Sequence, residues 1–146
     1  MAKEKREQNS DVTTEYGRSD DLRDSEMMTH LLDALEEGTD IGHYGRLVFV
    51  MVARFFMEEE EMAELLADQP DFDEEEARAL ILQVKAKGYN PPKREKILAW
   101  QAQQEFPICP TPNDPDTCDV YSDLRFPEDI YEHIEDYWEE KVEAQS

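Results

Sequence analysis

The chain has 146 residues, enough for one domain with a core of its own, and 37 acidic against 15 basic residues give it a formal charge of −22. At that charge, long-range attraction to nucleic acid is excluded, and the acids are spread along the whole chain, which excludes a single acidic tail as their source. Three readings of the charge stay open: a solvated shell adapted to high salt, a mimic of a polyanion, or an ordinary acidic protein. The N-terminus is polar and charged, and the longest unbroken apolar run, residues 47 to 52, is far too short to span a bilayer. The expectation is a cytoplasmic protein with no membrane segment.

Residues 1 to 23 offer few large hydrophobes beyond Val12, Tyr16 and Leu22. Such a segment buries too little apolar surface to offset its ordering entropy, so it is expected as a disordered arm before a folded domain over residues 24 to 146. From Ser25 the pattern turns helical. Ser25 can cap, Met28, Leu31, Leu32 and Leu35 recur at helical spacing, and Gly38 suits the C-terminal stop. A second helix is expected from about Ile41 or His43 to Phe56. Hydrophobes surround it almost fully, which marks the buried centre of a bundle.

Residues 57 to 69 read as a short amphipathic helix with Met62, Leu65 and Leu66 inward. After a loop through Pro70-Asp71-Phe72, Asp73 caps a helix striped by Ala77, Leu80, Ile81 and Val84 and stopped by Gly88. Tyr89-Asn90-Pro91-Pro92 punctuates. The next helix, over residues 93 to 105, opens on Lys93, Arg94 and Lys96 and carries Ile97, Leu98 and Trp100. Positive charge at an N-terminus opposes the helix dipole, so another demand is expected to hold it there. Residues 106 to 127 form a long Pro- and Asp-rich loop holding both cysteines, a length that is usually functional or held by a ligand. A last helix is expected from Pro127, striped by Ile130, Tyr131, Ile134, Tyr137 and Trp138. No strand alternation of useful length occurs. The fold class is all-α, a single helical domain of about six helices.

Few residues carry chemistry. His43 and Arg46 open the apolar second helix, where backbone N–H groups and the dipole favour anions, so they form a candidate phosphate or nucleotide site. The competing reading is a surface histidine and an ion-paired arginine. Lys93, Arg94 and Lys96 form the densest basic cluster of the folded part, after Lys85 and Lys87 in the last turn of the helix before; the resemblance given below makes all five candidate nucleic-acid contacts. Cys109 and Cys118 are too few for a disulfide framework and too widely spaced for a zinc knuckle. They read as two free thiols, or as metal ligands completed from elsewhere. No phosphate loop, dinucleotide fingerprint, zinc-helix or nucleophile-elbow motif occurs, so catalysis by this chain alone is not expected.

The motif order from about Met27 to Ile134 resembles the C-terminal helical domain of the archaeo-eukaryotic DNA primase large subunit. The matching pieces are Leu35-Glu36-Glu37-Gly38, His43-Tyr44-Gly45-Arg46, Pro70-Asp71-Phe72-Asp73, Tyr89-Asn90-Pro91-Pro92, Phe106-Pro107-Ile108-Cys109, Cys118, and Phe126-Pro127 with Tyr131. The resemblance implies a non-catalytic priming role: holding the initiating nucleotide's triphosphate and then primer–template nucleic acid, beside a catalytic primase subunit. His43 and Arg46 match the family's triphosphate contacts. Its second basic residue falls on Gly42. Of four iron–sulfur ligand positions, only Cys109 and Cys118 persist; the others fall near Met27 or Met28 and near Lys93 or Arg94. Two thiolates do not hold a [4Fe–4S] cluster in the usual manner, so no cofactor is expected and the likeness is to a cluster-free accessory subunit. With this charge, such a subunit fits a high-salt cytoplasm. The alternative is an acidic mimic or interaction module that regulates a DNA-binding partner.

Overall fold

The structure is a computed structural model and describes residues 19 to 126. These are all-helical: a 3₁₀ turn over Ser19–Asp24, then α1 (Glu26–Glu37), α2 (Gly42–Ala53), α3 (Glu59–Leu66), α4 (Glu74–Lys87), α5 (Arg94–Gln101) and α6 (Val120–Asp123). The helix expected from Pro127 lies outside the described residues, and so does most of the expected N-terminal arm. The arm's last residues differ from expectation. Leu22 is fully buried, and Arg23 reaches α1 at Asp33 and Glu36, so ordered structure begins ahead of Ser25.

Local chemistry sets the helix ends. The Ser25 Oγ accepts the Met28 N–H at 3.2 Å, and Thr39 N–H returns to the Ala34 carbonyl past a left-handed Gly38. Asp73 and Glu76 exchange side-chain and backbone bonds in a full capping box. Three helices stop short of their sequence-based ends, α3 among them at Leu66. After Ala53, residues 54 to 56 turn away with short bonds such as Phe56 N–H to the Ala53 carbonyl at 2.8 Å. After Gln101 the chain also turns, which frees Gln103 and Gln104 for long-range work.

α2 is the centre, touching α1, α3, α4 and α5. Its residues from Val48 to Ala53 are all buried, and Phe49 is the largest side chain with no exposure. The position follows from composition: a helix apolar on nearly every side has no stable place but the middle. α3 lies against α4, and ion pairs line their seam. Arg78 and Lys85 of α4 meet Glu59 of α3 at 3.8 and 3.6 Å, and within α4 Arg78 also meets Glu74 at 2.9 Å. Exposed pairs of this kind each contribute well under about 1 kcal/mol.

Crowded acids carry a cost. Partial burial, then the charges of Glu58, Glu64 and Asp20, hold the Glu61 carboxyl above its ordinary value. Burial, then Asp119 and Glu26, does the same to Asp123. A carboxyl whose folded value is raised opposes folding once it ionises. The penalty is absent below the unfolded value and complete above the raised one. Glu61→Gln is therefore expected to raise the melting temperature at pH 7, with the gain shrinking toward pH 4, as differential scanning fluorimetry at low salt would read.

Candidate functional site

The mouth of α2 holds the first candidate pair. His43 stands in the first turn, exposed, its ring edge-on to Tyr44 at 5.1 Å. Tyr44 stacks on Trp100 of α5 at 5.4 Å, which seats this corner of the helix. Arg46 follows one turn on, its side chain only 16% exposed. Its Nη1 donates to Asp40 Oδ1 at 3.2 Å and to Gln69 Oε1 at 3.3 Å, and its guanidinium lies 4.5 Å above the Phe72 ring.

The helix mouth is already supplied with oxygen by the chain itself. Gly42 N–H donates to Asp40 Oδ1 at 2.9 Å, Ile41 N–H to Gln69 Oε1 at 3.0 Å, and Tyr44 N–H to Gln104 Oε1 at 2.9 Å. Gln69, 3% exposed, also donates to the Thr39 carbonyl at 2.7 Å. Gln104 donates to the Ile41 and Phe106 carbonyls at 2.8 and 3.0 Å. Two glutamines and one aspartate thus take three N–H groups at the helix mouth and one nitrogen of Arg46, donors that an anion would otherwise use. Sequence reasoning missed all three, because Gln69 and Gln104 act across dozens of positions and no local pattern marks them.

Gly42 now has a physical reason. Its φ is +78°, and a Cβ there would stand 2.5 to 2.7 Å from the Gln104 amide. A basic side chain at this position, as the resemblance would require, conflicts with both the backbone and the glutamine clasp.

The basic cluster gathers at the elbow between α4 and α5. Lys85 and Lys87 close α4, with Lys85 paired to Glu59 of α3, Lys93 stands at the N-cap position of α5, and Lys96 lies 5.7 Å above the Trp100 ring. Arg94 is partly committed elsewhere, donating from Nη2 to the Pro112 carbonyl at 2.6 Å. Arg54, at the end of α2, reaches the same elbow by donating to the Tyr89 carbonyl at 3.1 Å, and it stacks 4.2 Å above Phe55. Tyr89 is 38% exposed in the turn, and Leu82 of α4 is 63% exposed. Of the ten Lys and Arg between residues 19 and 126, five fall within residues 85 to 96, with Glu95 the one acid among them.

The two cysteines do not stand as free thiols or as ligand positions. Cys109 and Cys118 are joined in a disulfide with Cα atoms 5.8 Å apart, and both residues are buried. This corrects the free-thiol and metal-ligand readings that the spacing left open, and the residual iron–sulfur positions that the resemblance implied. The loop turns back through Asp114 to Thr117 and through Cys118 at φ 62°, which brings the sulfurs together. Thr111 and Thr117 hydroxyls bond at 2.8 Å inside the ring, and Cys109 N–H donates to Gln101 Oε1 at 2.7 Å. The long loop is held by its own bonds and carries α6. Its entry is held by His30, whose Nε2 lies 2.8 Å from the Pro107 carbonyl while the ring stacks on Phe106.

Among the described residues, no group of three or more His, Cys, Asp or Glu is placed to hold a metal ion. Among the same residues, no helix is long and apolar enough to cross a membrane. In comparisons with known proteins, the chain matches no family model, no curated protein and no solved structure.

Proposed function

We propose that the protein is a non-catalytic accessory module of DNA priming, of the kind that the primase large-subunit resemblance implies. In this reading it contacts single-stranded or primer–template nucleic acid through the α4–α5 elbow and docks beside a catalytic primase subunit. The observation that carries it is the concentration of basic residues at one elbow of a chain charged at −22, with Tyr89 and Trp100 beside them. Lysines contact phosphates at short range, and aromatic faces stack on bases without regard to sequence. Salt screens the repulsion from the acidic remainder, while the lysine–phosphate contacts themselves still weaken as salt rises.

The initiating triphosphate would be held by His43 and Arg46. His43 is exposed for it, but a phosphate reaching Arg46 displaces the Asp40 carboxylate from the guanidinium and from Gly42 N–H. That same carboxylate favours a second reading. An acidic interaction module that acts on a DNA-binding partner needs no open anion site, and here a carboxylate fills it.

Fluorescence anisotropy on a labelled primer–template, with and without a 5′-triphosphate and in molar KCl, separates the two. Lys87→Glu with Lys96→Glu is expected to weaken binding about tenfold and to flatten its salt dependence by one to two phosphate contacts, about 0.9 in log–log slope for each. His43→Ala is expected to remove the preference for the triphosphate end alone. Indifference to the lysine pair overturns the elbow assignment. No binding at any salt, together with capture of a basic DNA-binding protein, favours the second reading.

A further inference from the structure

Arg94, the first residue of α5, is tied to the loop that the disulfide closes. Its Nη2 donates at 2.6 Å to the carbonyl of Pro112, which lies inside the ring between Cys109 and Cys118. Its Nε is buried with no acceptor among the described residues. A buried donor left unmatched costs free energy, so this guanidinium would be better matched in water. Among the described residues, the other hydrogen bonds of residues 110 to 117 run within the ring: Thr111 with Thr117, Thr117 with the Asp114 carbonyl, and Asp116 N–H with Asp114. The Pro112 carbonyl is therefore the point at which the ring grips α5.

A second unfavourable state sits in the same loop. Cys118 stands at φ 62°, the left-handed region that costs an L side chain free energy. Conformations of this kind persist where the surrounding structure over-determines them, and here the covalent ring does so. Residues 112 to 116 are exposed, while both cysteines are buried. Opening a short surface loop is a local event, and it is the route by which the sulfurs meet solvent.

We propose that the Cys109–Cys118 bridge is a redox latch on Arg94. Closed, it holds the guanidinium against the Pro112 carbonyl; reduced, it lets the loop move off and frees the guanidinium for an outside anion. The reductant is a dithiol. Its thiolate attacks one sulfur to form a mixed disulfide, and the other cysteine leaves as a thiolate that takes up a proton. The reductant's second thiol then displaces the first cysteine, which is protonated in turn. Two electrons and two protons pass to the cysteines, and the reductant ends as a disulfide. What the freed Arg94 binds rests on the proposed function, in which it contacts nucleic acid; its release does not.

Arginine labelling of the full-length protein with phenylglyoxal, mapped by mass spectrometry, tests the latch. The untreated protein is compared with protein reduced by dithiothreitol and then freed of it, and with a Cys109→Ser, Cys118→Ser variant. Arg94 is expected to label about threefold faster in the reduced and variant forms, while Arg46 at the α2 mouth keeps its rate. An unchanged rate at Arg94, with two thiols trapped after reduction, overturns the proposal. An equal rise at Arg46 overturns it too, because the bridge then only holds the fold together. Two free thiols in the untreated protein do the same. On the labelled primer–template at fixed salt, the reduced form is expected to bind about threefold more tightly, a gain of one phosphate contact that Arg94→Gln removes. Equal binding by the two forms, with Arg94 released, overturns the latch's control of the site. If Arg94 is released but neither form binds nucleic acid at any salt, the latch stands and the priming role fails.

Discussion

Truncating Phe49 to alanine is expected to lower the unfolding free energy by about 3–5 kcal/mol, the largest single-residue loss expected among the described residues. Phe49 has no exposed surface and sits mid-way along α2, the helix that touches four others. Removing the ring leaves a cavity that neighbouring helices close only in part, so lost contacts add to lost burial. A small domain holds about 5–15 kcal/mol in total, and self-repulsion at −22 draws on that margin at low salt. The substitution should therefore leave the protein folded in molar KCl and largely unfolded in dilute buffer. Urea titration followed by tryptophan fluorescence would show a lower midpoint at unchanged slope. A loss below about 1 kcal/mol would mean that α2 is not the centre of the core.

Breaking the disulfide is the second large effect. Replacing Cys109 by serine, or reducing the bridge with a small dithiol, is expected to cost roughly 3 kcal/mol on the chain-entropy account of a ten-residue ring. The damage should be local. The bridge closes the loop that carries Val120, Leu124 and Phe126 into the core, whereas α1 to α4 lie outside the closed ring. Hydrogen exchange should show amides from 109 to 124 losing protection while those of α2 and α4 keep most of theirs. Thiol trapping of the untreated protein provides the control. Two thiols that react at once under denaturing conditions would show that no bridge forms. The bond also bears on the cell compartment, since disulfides persist mainly where conditions are oxidising. The cytoplasmic expectation rests on the polar N-terminus and the shortness of the longest apolar run.

The helices are legible in the sequence because their signals are local. Ser25, Asp73 with Glu76, Gly38 and Gly88 each act within a few residues, and the apolar run of α2 states its own burial. Propensity alone carries α2 and α5 too far along the chain, because tertiary demands on Phe55, Phe56 and Gln104 outweigh it there. α6 stays hidden within the loop; four residues are too few to show a period. The positions of His43 and Arg46 at a helix mouth are legible too. Their surroundings are not. Asp40 is two positions before Gly42, yet only the fold turns its carboxylate onto both that N–H and Arg46.

By itself, then, the sequence determined an all-α chain, its capped helices, the buried place of α2 and the basic residues at the start of α5. Each depends on spacing along the chain, through hydrogen bonds a few residues long or an apolar face repeated every turn. Tertiary structure alone decided which oxygens occupy the α2 mouth, which side chains surround Gly42, and that Cys109 meets Cys118. Those outcomes depend on backbone turns and on partners up to 63 positions apart, as between Gln104 and Ile41. Spacing permits such meetings, and only the packed chain selects among them.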